Sequence, residues 1–147
     1  MSLQQLMDKI LEIEEGLSIT SPVSLSVKKA WDPVPPANTT LVDLPAWTNT
    51  WSMDGMDWLP GDMRDETYVV RMILAVGEST TEQDRQGRIA TAFWESLLNA
   101  LHADPQLGGF GRLQRIRSAQ QGIVPFGGRS YVGLEVSLEV YVIEAKG

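Results

Sequence analysis

The sequence predicts an α+β fold, in which an antiparallel β-sheet carries a short N-terminal helix and one long helix. Apolar residues recur at helical spacing near the N-terminus and again over residues 80–103. Residues 67–76 are apolar on both sides of a predicted strand, and residues 131–145 alternate apolar with polar. Helix, strands, helix and strands in this order are typical of helices packed on an antiparallel sheet.

The N-terminal helix is predicted from six apolar residues that share one side, namely Leu3, Leu6, Met7, Ile10, Leu11 and Leu17. Ser2 suits the N-cap position and Gly16 suits the end of the helix. Asp8, Glu12 and Glu15 fall on the opposite side. The helix is therefore expected to be amphipathic, with these three acids in solvent.

Two strands are predicted next, over SPVSLSVKKAW and LVDLPAWTNTW. Between them DPVPPANTT holds three prolines in four positions, and such a segment forms a stiff extended connector because proline cannot continue a helix. Period-two alternation places Trp47, Asn49 and Trp51 on one face of the second strand. TYVVRMILAV then predicts a central strand covered on both sides.

The long helix is predicted to run from about Thr80 to Ala103, after a capping box formed by Ser79 and Glu82. Its inner stripe comprises Ile89, Phe93, Leu97, Ala100 and Leu101. LGGFG then turns the chain, and two last strands follow over FGRLQRIRSAQ and SYVGLEVSLEVYVIEA. The glycine-rich segment GIVPFGG is predicted to connect them.

Length and composition limit the class of protein. The 147 residues suit one domain, 1–147, and the net charge of −7 argues against a general nucleic-acid binder. Cysteine is absent, which excludes disulfides and thiol catalysis and suits a cytosolic product. The N-terminus is too polar for a signal peptide, and no apolar run is long enough to span a bilayer, so no membrane partner is expected.

Known catalytic patterns do not fit this sequence. His102 is the only histidine, and a position in the last turn of the long helix suits a role at the surface or near the helix dipole. LGGFGR lies after a helix and before a strand, whereas a phosphate-binding loop needs the reverse order. We therefore expect no catalytic residue, no metal and no cofactor.

Residues 51–66, WSMDGMDWLPGDMRDE, combine five acids with two tryptophans and three methionines. Their spacing does not match a calcium-binding EF-hand loop, although a divalent metal held by several carboxylates stays an alternative. Tryptophan and methionine are enriched in protein interfaces. The preferred interpretation is a long β-hairpin loop that docks onto another protein through Trp51, Asp54, Met56, Asp57, Trp58 and Asp62.

Arg112, Arg115, Arg117 and Arg129 form a second candidate contact surface, because no acid lies between Pro105 and Leu134. Residues 1–66 carry a net charge of −7, whereas residues 67–147 are neutral overall. Arg115 and Arg117 are predicted to point to the same side of a strand as Leu113. They either lie on a solvated strand face or contact the acidic first half of an adjacent subunit.

The order of several segments resembles the tail terminator proteins of long-tailed bacteriophages, of the lambda minor tail protein U kind. These segments are WDPVPP, LPAWTNTW, a paired strand, a long helix closing on ALHADPQLGGFGRLQRI, and a last strand YVGLEVSLEVYV. The resemblance covers nearly the whole chain and is one of pattern and order. The acidic stretch 51–66 departs from it, because it looks longer than the hairpin connection usual in that family.

The resemblance implies a structural virion protein without enzymatic activity. Such proteins form a ring, usually of six copies, that ends tail polymerisation and offers a surface for head–tail joining. The implied partners are further copies of the chain, the tail tube protein and the head–tail connector protein, with no sequence-specific nucleic acid. The implied location is the head-proximal end of the virion tail, after assembly in the host cytoplasm. There are two alternatives. One is a ring at the head–tail neck, and the other is a small metal-dependent hydrolase that uses carboxylates of residues 54–66.

Overall fold

The computed structural model describes residues 2–32, 43–80 and 82–145, and it has the predicted α+β fold. In these ranges the chain forms helices α1 (Ser2–Glu15) and α2 (Gln83–Ala103). Its strands are β1 (Ser18–Ile19), β2 (Leu25–Ser26), β3 (Lys29–Trp31), β4 (Ala46–Leu59), β5 (Met63–Glu78), β6 (Arg112–Phe126) and β7 (Arg129–Ala145). Most of the proline-rich connector lies outside the described residues.

The main sheet has the strand order β3-β4-β5-β7-β6, while β1 and β2 pair separately. All neighbours in the main sheet are antiparallel except β3 and β4, which run parallel. The pairing of β3 covers only Ala46–Thr48 of β4. Among the described strands, the rest of β4 therefore forms one free edge of the sheet, and β6 forms the other.

Both helices pack on the sheet, as predicted, and both lie on the same face, which the sequence had left open between one face and two. Leu6, Met7 and Ile10 of α1 are buried there, and so are Phe93 and Leu97 of α2. The sheet contributes alternate apolar residues of its two central strands, namely Tyr68, Val70, Met72, Leu74, Leu134, Val136, Leu138, Val140 and Val142. Their period of two follows from strand geometry, and it confirms the predicted alternation in β7.

The opposite face of the sheet is covered at one end only. Ile73 and Ala75 lie there in a smaller apolar cluster with Val124 and Tyr131. The rings of Trp31 on β3 and Phe126 on β6 have centroids 6.1 Å apart. Strands four places apart in a flat sheet would be separated by about 19 Å, so the sheet curls at this end until its two edges approach.

Towards the other end the same face is polar. The Arg71 guanidinium bonds the Glu135 carboxylate, and Arg115 Nε lies 3.0 Å from Glu139 Oε2. The prediction of a central strand was right for β5, but full coverage of both its sides was wrong. The reason is that the described helices both pack on one face.

Two local predictions around the long helix and the last hairpin were wrong. The helix begins at Gln83 after Glu82, which has a positive φ of 44° and makes no side-chain capping bond, so the Ser79–Glu82 capping box is absent. The segment GIVPFGG is mostly strand, because β6 runs to Phe126 and only Gly127 and Gly128 lie between the two strands. Both glycines have positive φ, which suits a tight two-residue hairpin turn.

A buried carboxyl joins α1 to the edge of the sheet. The Asn49 Nδ2 atom donates to Glu14 Oε1 at 2.6 Å and to the Trp31 carbonyl at 3.2 Å. Burial raises the pKa of Glu14 well above its usual value, and the bond from Asn49 opposes this. Burial disfavours the charged form of the carboxyl, whereas the N–H donated by Asn49 favours it, and burial is the larger of the two effects.

Candidate interaction surface

The acidic stretch forms a long β-hairpin, as predicted, but most of it is paired strand, so the prediction that residues 51–66 form a loop was wrong. Pairing of β4 with β5 continues to Leu59 opposite Met63, and only residues 60–62 form the turn. Gly61 and Asp62 have positive φ of 79° and 59°. Pro60 and Gly61 are residue types that favour turns. The residues on either side of them continue the pairing of β4 with β5.

A β-bulge at Asp54 decides which side chains of the hairpin share a face. Met53 pairs with Tyr68, and the next residue that pairs is Gly55 with Thr67, so Asp54 is the extra residue. Beyond the bulge, Met56 pairs with Glu66 and Trp58 pairs with Arg64. Without the bulge, Met56 and Trp58 would lie on the opposite face from Met53.

The result is a stripe of four exposed hydrophobic side chains on one face of a free edge. Trp51 is 49% exposed, Met53 46%, Met56 38% and Trp58 61%. Their partners on β5 are on the face that carries the helices, so the stripe extends the helix-covered face beyond the helices. Neighbouring apolar groups of this size on an open strand edge mark an interaction site.

Buried polar contacts of β5 support the stripe from one side. The Trp51 ring meets the Tyr68 ring edge-on, with centroids 5.6 Å apart. The Tyr68 hydroxyl donates to Glu66 Oε2 at 3.0 Å, and Arg64 Nε donates to Glu66 Oε1 at 3.1 Å. Glu66 is 2% exposed, so its carboxylate is held by fixed partners and Trp51 rests on an ordered surface.

Apart from one directly opposed pair, the acids of the hairpin point to different places. Asp57 lies opposite Asp65 on the face away from the helices, Glu66 faces the helices, Asp54 lies in the bulge and Asp62 in the turn. A hydrogen bond with Asp65 raises the pKa of Tyr141 on the neighbouring strand. Within the described ranges, no three histidine or acidic side chains group closely enough to hold a metal ion.

The other edge of the sheet carries three of the four predicted arginines. Arg112 pairs with Tyr141 and Arg115 with Glu139, while Arg117 is the extra residue of a bulge. A second bulge at Gln114 separates Leu113 from Arg115, so these two side chains lie on opposite faces. The prediction that Leu113, Arg115 and Arg117 share a side was therefore wrong.

The arginines also differ in their partners. Arg115 forms an ion pair with Glu139. Arg112 and Arg117 are exposed and make no ion pair with any residue that the structure describes. Arg129 begins β7 at the far end of the hairpin, opposite Phe126, and so does not join the other three. Among the described residues, an acid of the same chain therefore neutralises one arginine of β6, which is Arg115.

The turn after α2 and its histidine have the expected form. His102 is exposed in the last helical turn. Gly108 and Gly109 have positive φ of 69° and 88°, which suits a turn that ends a helix.

A groove of about 560 Å³ runs along the start of α2 beside Pro22, with Asp84, Arg88 and Glu95 among its polar lining. Neither described helix is long and apolar enough to cross a membrane.

Models of known protein families do not match this chain, and a search of curated proteins gives no significant similarity.

Proposed function

We propose that this protein is a structural subunit that works by assembling with copies of itself into a closed ring. The observation that carries the proposal is the stripe of Trp51, Met53, Met56 and Trp58 on the unpaired edge of β4. Burial of apolar surface is the main favourable term in protein association, and tryptophan is among the residues that contribute most to it. A surface of this kind supports assembly more than it supports catalysis.

We further propose that the ring caps a phage tail tube, which is what the resemblance to tail terminator proteins implies. In this role the ring stops tube polymerisation at the head-proximal end and presents a surface to the head–tail connector. Its partners are then the tube protein, the connector protein and further copies of the chain. The pattern and order of the segments support this proposal, together with the α+β fold that they predicted.

The divergence of the hairpin acids favours the structural class over the hydrolase alternative. Hydrolysis with a bound metal requires carboxylates that converge on one point, because the ion must be coordinated by several oxygens at about 2 Å. Here Asp57 and Glu66 project from opposite faces of the same hairpin, and the opposed pair of Asp57 and Asp65 has no third acid or histidine grouped with it in the described ranges. A ring at the head–tail neck is also a structural protein. Images of particles made without this protein would distinguish a neck ring from a tail terminator, because they show which part of the virion is missing.

The first test is the mass of the assembled protein. Native mass spectrometry of the full chain is expected to show a single closed species of fixed copy number, six if the resemblance holds, rather than a continuous series. A closed ring buries the same two surfaces in every copy and therefore has a defined size. A chain that stays monomeric at all accessible concentrations, and that is also absent from assembled tails, contradicts the proposal.

A further inference from the structure

The two free edges of the sheet carry opposite charge. The edge strand β4 holds Asp54 and Asp57 and no basic residue. The edge strand β6 holds Arg112, Arg115 and Arg117 and no acidic residue. Because Arg115 is already paired with Glu139, the charges left over on the two edges are two acids on one side and two arginines on the other.

These charges cannot meet within one molecule. Strands β5 and β7 lie between β4 and β6. Three strand spacings set the two edges about 14 Å apart in the sheet. The ends of β3 and β6 that do approach each other, at Trp31 and Phe126, lie at the opposite end of the sheet from the stripe. In the half of the sheet that bears the stripe, neither edge therefore has a neighbouring strand among the residues that the structure describes.

The register of the sheet places the two edges at the same height. One row across the strands runs from Met53 through Tyr68 and Val140 to Leu113. A second row runs from Trp51 through Val70 and Leu138 to Ile116, with all four residues again on the helix-covered face. Leu113 and Ile116 are half-buried apolar residues, so the stripe and the apolar residues of β6 are level with each other.

We propose that Trp51 and Met53 of the stripe are covered by a second copy of this chain, whose residues 112–117 at the start of β6 lie next to the part of β4 that β3 does not pair with. Strands β4 and β6 run in opposite directions, so this contact continues the antiparallel order of the sheet. Trp51 and Met53 then lie beside Ile116 and Leu113 of the second copy. Asp54 and Asp57 lie beside its Arg112, within the reach of that long side chain.

Charge selects this contact over the symmetric ones. Two β4 edges side by side would bring four aspartates together, and two β6 edges would bring the arginines together; like charges placed in this way oppose association. Only β4 against β6 joins opposite charges. Such a head-to-tail contact leaves one free edge on each end of a dimer, so further copies can add, and a ring forms when the rotation between neighbouring copies closes on itself. The inference rests on the proposed function, and it specifies which surfaces the subunits use.

Charge reversal on either edge tests the contact. One variant carries Asp54→Lys and Asp57→Lys, which makes β4 basic; the other carries Arg112→Glu and Arg117→Glu, which makes the free charge of β6 acidic. Arg115 is left unchanged because its replacement would also break the ion pair with Glu139. Each variant alone is expected to assemble with a dissociation constant raised about tenfold or more at low salt.

The two variants should restore assembly when they are mixed, since each basic edge then meets an acidic one, and so should the chain that carries all four changes. Glu95→Lys on α2 and Arg129→Glu at the far hairpin serve as controls, each with a charge change of the same sign and half the size of that in one test variant, and both should assemble like the wild type. Analytical ultracentrifugation measures assembly, and circular dichroism checks the fold. A wild-type oligomer whose variants assemble normally, or are not rescued by mixing, overturns the edge contact alone. A wild-type monomer overturns the proposed function as well.

Discussion

Replacement of Met56 and Trp58 by serine is expected to weaken ring assembly while the monomer keeps its fold. Both side chains are partly exposed on the hairpin, Met56 38% and Trp58 61%, and neither belongs to the buried core. In the edge contact they lie beyond Arg112 of the second copy, beside the turn that precedes its β6. Truncation of apolar residues at the margin of an interface costs about 1 kcal/mol each, so the two together weaken association about 30-fold.

Sedimentation of the double variant beside the wild type measures this effect. Leu98→Ser is the control, because Leu98 is an exposed hydrophobic residue, 40% accessible, that lies on α2 and not on an edge strand. It should leave assembly unchanged. Should the Met56 and Trp58 variant assemble as well as the wild type, the stripe is ordinary surface and the proposed function loses the observation that carries it.

Gly133→Ala is expected to cause the largest loss of stability of any single methyl addition to the sheet. A Cβ atom at Gly133 would lie 1.8 Å from the Leu74 carbonyl oxygen on β5 and 2.9 Å from a Val124 methyl on β6. The backbone of β5 cannot move aside without disturbing its hydrogen bonds to β4 and β7. Overpacking of this severity costs about 3 kcal/mol or more, which lowers the melting temperature by about 6–12 °C for a chain of this size.

Gly122→Ala provides the control at the adjacent position. Gly122 pairs directly with Gly133, yet a Cβ atom there has nothing within 4 Å. Both variants change the same residue type in the same pair of strands, so their effects on the unfolded chain are alike. A melting temperature for Gly133→Ala equal to that of Gly122→Ala would contradict the close approach of β5 and β7 at this position.

The main elements of the fold could be predicted because their patterns are strong and local. The helical spacing of Ile89, Phe93 and Leu97 is maintained over the whole of α2, and these residues are buried. Strict alternation along β7 similarly identified its buried face. In both cases one side of an element is covered by one kind of neighbour, which is the situation in which periodicity is most informative.

The geometry of the candidate surface could not be predicted, because β-bulges do not have a dependable sequence pattern. The bulge at Asp54 moves Met56 and Trp58 to the face of Met53, and the bulge at Gln114 separates Leu113 from Arg115. Each bulge reverses the alternation that follows it. The composition of the hairpin and of β6 did identify most residues of the candidate surface. Which of these residues share a face could be determined only from the strand register.

Contacts between distant parts of the chain were also beyond the sequence. Nothing in the alternation of β6 indicates that Arg115 pairs with Glu139, or that Trp31 and Phe126 meet across the curled sheet. The burial of Glu14 under Asn49 is a further case, because an acid on a helix is usually expected in solvent. Such contacts depend on strand order and sheet twist, which are properties of the assembled fold.

Cysteine cross-linking tests most directly whether copies of the chain join through opposite edges of the sheet. The chain has no cysteine, so Met53→Cys and Leu113→Cys introduce the only thiols. Within one copy these positions lie on strands three places apart in the sheet. That separation is about 14 Å, which is too far for a disulfide. We predict that oxidation of the double variant gives a ladder of linked chains that ends at the ring size, and that each single variant stays unlinked. A double variant that stays monomeric on denaturing gels, or dimers formed by Met53→Cys alone, would contradict the head-to-tail contact.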